Sequence, residues 1–470
     1  MTSMSMENSL LYPDISDITK NPTEKFDPVF SFETKLHTVD KDLDYTDGLS
    51  LVDVYILRNY VENISDYIEV KVSIPVGTFL YDVYDNLDNI ELTMITSKQM
   101  RQNSEPVTVA ERYKAVYLLE KNSAVPNTIS QSKEDLNNQM PLIITFQLLD
   151  RSVETLRIKT TQGNFDMSIN KNKDMSLATF MKSVISEQSN KILIENKPIL
   201  DGIDIEKTDN TDKLKAITLS SGTRVIEIPE ILQEKNIGVY NGGIGCYVQK
   251  FGIDNFTFKK NMFIYSLYNA DKYTDAEYKL MIFSPMSSSH SSGDNTYKYK
   301  DKILKVLPHG ITKINDNKET SVMSSGSGFR MSNANSYMKK PVDMTPDGPK
   351  FKRNELSSEV IFKDRKDGLN FAPNKSVGGN QFKLTADLLK KNGNYVTVEI
   401  SNMDHDFIYP AAKCKILYEN KEKTITEVFG VVHLAVITYS NSNANPIMNK
   451  TSRTVSLTAH ASLQVFTNSK

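Results

Sequence analysis

The segment GVYNGGIGCYVQKFG holds the first residues in this chain whose type and spacing could do chemistry: Gly238, Gly242, Gly243, Gly245 and Gly252. Bare backbone amides approach an anion closely, so such a run could cradle a phosphate. The run lacks the rest of that device. It has no Gly-Lys-Ser/Thr ending and no GxGxxG register, and the next segments, Phe256 to Phe258 and Met262 to Leu267, are strand-like and aromatic. No helix pattern stands there to offer its N-terminus to a phosphate. The run is expected to be a tight turn leading into a strand pair that ends in Tyr265, Tyr268 and Tyr273.

Other constellations are thin. Asp404, His405 and Asp406 stand together, but alternate residues on a turn point in different directions and no third ligand is apparent. The histidines His37, His290, His309, His405, His433 and His460 show no HExxH or paired metal spacing. His433 lies in an apolar run, where a satisfied core or interface imidazole is expected. Ser324 to Gly328 (SSGSG) is not a GxSxG elbow, and among 58 acidic residues no carboxylate pair is singled out for glycoside cleavage. Cys246 and Cys414 give neither a disulfide framework nor a zinc spacing and are expected to be buried thiols. The expectation is a non-enzymatic chain with no catalytic, cofactor-binding or metal-binding residue and no cofactor.

The chain has 470 residues, too many for one ordinary core, and should form about three domains. Its 56 basic and 58 acidic residues leave a net charge of -2, which argues against coating nucleic acid. No stretch approaches the roughly 20 apolar residues of a membrane span, and the N-terminus carries no basic-then-apolar signal. The protein is therefore expected to stay in a cytoplasm until assembled or released.

Apolar periodicity divides the chain further. Residues 1–45 read as an extended N-terminal arm, whose aromatic residues suggest packing along a partner or neighbouring subunit. Residues 46–165 read as a first β-domain: Leu51 to Leu57 and Ile68 to Ile74 alternate with period two. Further strands are expected at Phe79 to Tyr84, Ile90 to Ile95, Tyr113 to Leu119, Leu142 to Leu149 and Val153 to Lys159. Over 166–283 the period changes. Leu177, Phe180, Met181, Val184 and Ile185 recur at helical spacing behind a Ser176 N-cap, with strands at Ile192 to Ile194, Ile199 to Ile205 and Thr223 to Ile228 and a helical turn at Pro229 to Glu234. Residues 284–380 are polar and low in apolar content, expected as linker or surface loops, with solvated basic pieces at Lys339-Lys340, Lys350 to Arg353 and Lys363 to Lys366. Residues 381–470 read as a second β-domain containing the alternating strand Tyr395 to Ile400.

The end of that second domain is the most distinctive part. His405 to Pro410 (HDFIYP) makes a corner; then come a strand, a charged turn at Glu419 to Lys423, a strand through Gly430 and His433, a long polar loop, and a closing strand from Val455 to Phe466. This layout resembles the end of the central hub proteins of contractile phage tails, the late-control D group, and the related hub part of type VI secretion spikes. The resemblance implies a mainly β protein with two tail-tube-like antiparallel β-barrel domains, a small α/β insertion and extended loop regions. It further implies a homotrimeric structural virion protein of the tail baseplate, assembled in the host cytoplasm. Such a hub joins a six-fold tail tube to a three-fold spike. Its partners would be the tube protein, the spike, baseplate wedge proteins and a tape-measure protein, with DNA passing through the lumen without specific binding. Alternatives are another tail component, such as a tube initiator or wedge protein, a host-surface carbohydrate-binding module, and a hydrolase hidden in the insertion.

Overall fold

The computed structural model describes residues 29–38, 43–44, 49–99, 106–121, 132–138, 141–167, 175–194, 196–211, 214, 216–234, 237–252, 258–270, 280–284, 295–299, 302–306, 313–316, 329–331, 342–343, 352–353, 360–362, 382, 386, 389–390, 393–401, 408–419, 425–440 and 455–468. The chain is mainly β. In its first part lie β1 (Val29–Thr38), β2 (Leu43–Asp44), β3 (Ser50–Asn59), β4 (Tyr67–Ile74), β5 (Ile90–Gln99), β6 (Val107–Tyr117), β7 (Leu142–Leu149) and β8 (Thr160–Asp166). The middle holds β9 (Leu193–Ile194), β10 (Lys197–Pro198), β11 (Gly202–Ile205), β12 (Ala216–Arg224), β13 (Ile244–Gly252), β14 (Phe258–Ser266) and β15 (Leu280–Ser284). Then come β16 (Asn295–Tyr299), β17 (Lys302–Val306), β18 (Lys313–Asp316), β19 (Phe329–Met331), β20 (Val342–Asp343), β21 (Lys352–Arg353) and β22 (Val360–Phe362). The chain closes with β23 (Gly393–Ser401), β24 (Lys413–Glu419), β25 (Ile425–Ser440) and β26 (Val455–Asn468). The helices are α1 (Lys133–Asn137), α2 (Arg151–Ile158), α3 (Leu177–Asn190) and α4 (Ile228–Glu234).

One large sheet organises the molecule. Following its hydrogen bonds from β25 through β3, β4, β7, β6, β5, β1 and β26 leads back to β25, so eight strands close an antiparallel ring. Alternation explains the ring's filling. On β4 the apolar residues Ile68, Val70, Val72 and Ile74 are buried, while most of the residues between them face out. Each such side chain contributes ~1.5–3 kcal/mol when withdrawn from water. A helical stretch from Val76 to Asn89 crosses between β4 and β5 and buries Phe79 and Val83 in the same core.

A second sheet uses the same long strands. It runs β16-β17-β15-β24-β25-β26-β23-β18. β25 serves both sheets by changing neighbour along its length: Ile425 to Val431 pair with β24, and Leu434 to Ser440 pair with β3. On β26, Val455 to Leu457 pair with β1 and His460 to Asn468 with β23. A register shift between Val432 and Leu434 marks the crossing on β25. The apolar faces of both sheets join one cluster.

A second core lies in the α/β part. Leu177, Phe180, Met181, Val184 and Ile185 on α3 pack with Ile217 and Leu219 of β12 and with Met262 and Ile264 of β14. The α3 N-terminus is capped as its sequence predicts, the Ser176 hydroxyl accepting from the Thr179 N–H at 3.2 Å. β13 and β14 form a wall between the cores, Tyr247 and Tyr265 facing the ring cluster and Val248 and Ile264 the other.

Several expectations need correction. Phe79 to Tyr84 is helical, and Val153 to Lys159 is mostly α2, because the Asp150 carboxylate accepts from the Ser152 N–H at 2.8 Å and starts a helix there. Thr223 and Arg224 end β12, and Val225 to Ile228 are helical. Residues 29–38 of the N-terminal arm form β1 within this chain, its Phe30 and Phe32 buried between β5 and β26. Residues 46–165 do not close a barrel alone, since β1, β25 and β26 complete it. Within 284–380, β16, β17 and β18 extend the large sheet.

Two substitutions test this packing. At Gly393 a Cβ would overlap the ring of the fully buried Phe466, so Gly393→Ala is expected to lower stability by ~1–3 kcal/mol. Ser176→Ala is expected to cost ~1 kcal/mol through loss of the cap. Urea unfolding midpoints measure both, and unchanged midpoints would contradict this account.

Candidate functional site

The polar groups that converge most strongly lie where the ring meets β13 and β14. A cavity of about 100 Å³ opens there, with Phe30, Phe32 and Tyr439 on its apolar side and Arg58, Asp66, Glu111, Asp150 and Lys250 on its polar side. Strand alternation puts Arg58 there. Val54, Ile56 and Arg58 share the inward face of β3, and Arg58 is 3% exposed.

Three carboxylates line this cavity, and each is held by hydrogen bonds. Asp66 accepts from Tyr247 Oη at 2.9 Å and from Arg58 Nε at 3.1 Å. Glu111 faces Lys250 Nζ at 2.9 Å and accepts from Tyr113 Oη at 2.7 Å. Asp150 accepts from the Ser152 N–H at 2.8 Å and from Lys260 Nζ at 2.6 Å. Both oxygens of each carboxylate are thus engaged, and each has a cation beside it. Burial nevertheless raises the Asp66 carboxyl above the usual range, outweighing Arg58 and Tyr247. Such a network of charge-assisted hydrogen bonds holds the elements that carry it in fixed relation.

Its centre is a backbone oxygen. The Ile408 carbonyl accepts from Gln249 Nε2 at 2.7 Å, Arg58 Nη1 at 2.9 Å and Tyr60 Oη at 3.1 Å. Tyr60 Oη also lies 3.1 Å from Gln249 Oε1, a second acceptor for its proton. The corner at Ile408 to Pro410 is thereby fastened to β3 and β13 at once. Burial pushes the Tyr60 hydroxyl far above its ordinary range, so it stays a neutral donor.

The glycine run is structural. Gly238 (φ 71°) and Gly243 (φ 75°) adopt backbone that favours glycine. A Cβ would overlap the Phe382 ring at Gly238, Ser266 Oγ at Gly242 and the Tyr265 ring at Gly245. Space that a phosphate would need is filled by side chains, and β13 follows in place of a helix.

His433 sits at the crossing point of β25. Its Nε2–H donates to the Leu267 carbonyl at 2.7 Å, leaving Nδ1 to accept from Tyr395 Oη at 3.4 Å. Its ring stacks on Phe466 at 5.0 Å and meets Tyr268 and Tyr395 edge-on. Its backbone carbonyl accepts from the Tyr60 N–H at 2.8 Å, tying the crossing to the polar joint. Burial lowers its pKa to about 4.

Of the other candidates, His37 lies 3.2 Å from Thr93 Oγ1 and His460 is exposed on β26. Cys414 is buried and Cys246 partly so, the Cys246 thiol pushed up to about 12 by burial. Asp404, His405, Asp406, His290, His309 and Ser324 to Gly328 lie outside the described residues, as do Lys339-Lys340 and Lys363 to Lys366. Among the described residues no group of three or more His, Cys, Asp or Glu is placed to hold a metal, and no helix is long and apolar enough to cross a membrane. Sequence reading missed Arg58, Asp66 and Gln249; the one available signal was Arg58 at an inward position of an alternating strand.

No family model matches the sequence, and no curated protein matches it. Solved structures do. The chain is similar to the 43 kDa tail protein of prophage MuSo2 from Shewanella oneidensis, at 11% identity over 92% of this chain and 98% of that one, with a TM-score of 0.41. It is also similar to a lidless PdpA–VgrG complex at 9% identity, over 94% of this chain and 65% of that one, with a TM-score of 0.35. A half-lidded PdpA–VgrG complex from Francisella matches at 8% identity over 99% and 62%, with a TM-score of 0.32.

Two outcomes test the site. Arg58→Met leaves Asp66 buried without its cation and is expected to cost ~3–5 kcal/mol, much of it recovered in the Arg58→Met/Asp66→Asn double variant. Additive losses in the cycle would refute the coupling. For His433 the folded-state pKa is depressed, so the unfolded chain binds more protons between about pH 6.5 and about 4. Stability is therefore lost as pH falls through that window, by up to ~1.4 kcal/mol per unit, and levels off below it. Comparing urea unfolding of the native protein and His433→Gln across pH isolates this slope; parallel profiles would refute it.

Proposed function

We propose that this protein is a non-enzymatic structural component of a contractile phage tail, the homotrimeric central hub of its baseplate. The observation that carries the reading is one chain's use of β25 and β26 in both a closed eight-strand ring and a second sheet. Three copies of such a unit supply six quasi-equivalent β modules, which suits adaptation between a six-fold tube and a three-fold spike. The C-terminal layout resembles the hub family, and the engaged carboxylates of the polar joint fit a rigid part better than an active site.

In this reading the tube protein, spike, wedge proteins and tape-measure protein are neighbours in the virion tail. The lumen carries little net positive charge, so DNA passes without specific binding. Subunit interfaces are expected to exceed ~2,000 Å². Light scattering of the purified protein, with negative-stain images of the same sample, tests it. A particle of about three chain masses with an open ring is the expected result, and a compact monomer that stays monomeric with tube or spike protein present would overturn it. The same preparation is expected to leave cell-wall substrate uncleaved.

A further inference from the structure

The cavity beside β13 and β14 lies at one mouth of the closed ring. Arg58 and Lys98 on its wall stand at the ends of β3 and β5, and Ile68 and Val107 at the starts of β4 and β6. A ring of eight strands is just wide enough for side chains to fill it or for one small ligand to enter, and barrel mouths are favoured ligand sites. Here the filling stops short. The space left is about 100 Å³, and since an apolar cavity of ~150 Å³ takes benzene, this one suits a molecule of ~4–5 non-hydrogen atoms.

Its walls favour one ligand chemistry. Phe30 and Phe32 meet the Tyr439 ring edge-on at 5.2 and 5.0 Å, giving an aromatic side, and Met94 lines the same space. The charged groups of the lining are unequally exposed. Arg58 is 3% exposed and Lys98 7%, whereas the side chains of Asp66, Glu111 and Asp150 keep 19%, 26% and 23%. Lys98 is buried because it takes an inward place on β5, with Leu92, Met94 and Thr96, opposite Phe30 of β1. Water screens the carboxylates more than these two cations, so the least screened charge that an occupant meets is positive.

We propose that this cavity binds a small monocarboxylate, its charged end toward Arg58 and Lys98 and its short apolar body against Phe30, Phe32 and Tyr439. A single negative charge suits the site, because the aromatic side offers a second one no partner. The proposal does not depend on the hub reading, since it concerns the interior of one chain.

Propionate is the probe, read through the Met94 methyl resonance of the full chain, with 1-propanol, propylammonium and inorganic phosphate as comparisons. Propionate is expected to shift the signal with a Kd of ~1 mM, a modest affinity for five non-hydrogen atoms, and to bind at least ~10-fold more tightly than the other three. Lys98→Met is expected to weaken propionate at least ~10-fold. Lys121→Met, at the exposed lysine paired with Glu69, is expected to leave it unchanged. Equal binding of propanol or propylammonium would overturn the carboxylate assignment, as would tighter binding of phosphate. An unmoved Met94 signal at ~100 mM propionate, a hundredfold excess over the expected Kd, would overturn the site itself. The comparison of probes uses the native protein, so it decides the matter even where Lys98→Met fails to fold. Particle mass does not enter, and loss of the hub reading would leave this one standing.

Discussion

The rest of the structure depends on the pairing of β25 with β26. Both strands are long enough to serve two sheets, and each gives part of its length to one set of neighbours and the remainder to another. A strand can do this only if its outer hydrogen-bonding edge is handed over cleanly. On β25 the register shift beside His433 makes the handover, and the imidazole and carbonyl of that residue are both used to secure it. Packing at the crossing is tight. Gly393 and Gly430 leave no room for a side chain against Phe466 and Val465, and the Phe466 ring stacks on that of His433.

Beside this apolar junction stands a polar one. Three donors from β3, the turn after it and β13 meet the Ile408 carbonyl, and the ion-paired Asp66, Glu111 and Asp150 line a cavity with Arg58 and Gln249. Replacing such groups by apolar ones of equal shape often costs little, whereas removing a single partner costs several kcal/mol. The network therefore contributes more to orientation than to net stability. It sets the α/β part on the ring in one way, with β13 and β14 serving as a common wall for both cores.

Two chemically suggestive patterns among the described residues resolve into packing for a common reason. Glycines that could bare backbone to a phosphate instead admit the rings of Phe382 and Tyr265. A histidine that could act as a base is enclosed by Tyr268, Tyr395 and Phe466, and its Nε2–H is given to a carbonyl. In each case the neighbour that decides the role comes from another element.

Local order was legible in the sequence. Period-two alternation located β3, β4, β7 and β23, the 3.6-residue spacing behind Ser176 located α3, and the apolar context of His433 placed it in a core, because these patterns involve residues a few positions apart. Where a local competitor won, the reading failed: Asp150 capped a helix over residues whose alternation suggested a strand. The ring was not legible, since its closure pairs residues 30–32 with 455–457, and nothing in either stretch names the other. Nor was the polar joint, whose Arg58 and Ile408 are 350 positions apart. The sequence by itself determined which faces must be buried. Only the tertiary structure decided which strands they meet, because a period-two face fits many partners and the choice among them rests on long-range register, shared strands and the few polar groups that must be satisfied once inside.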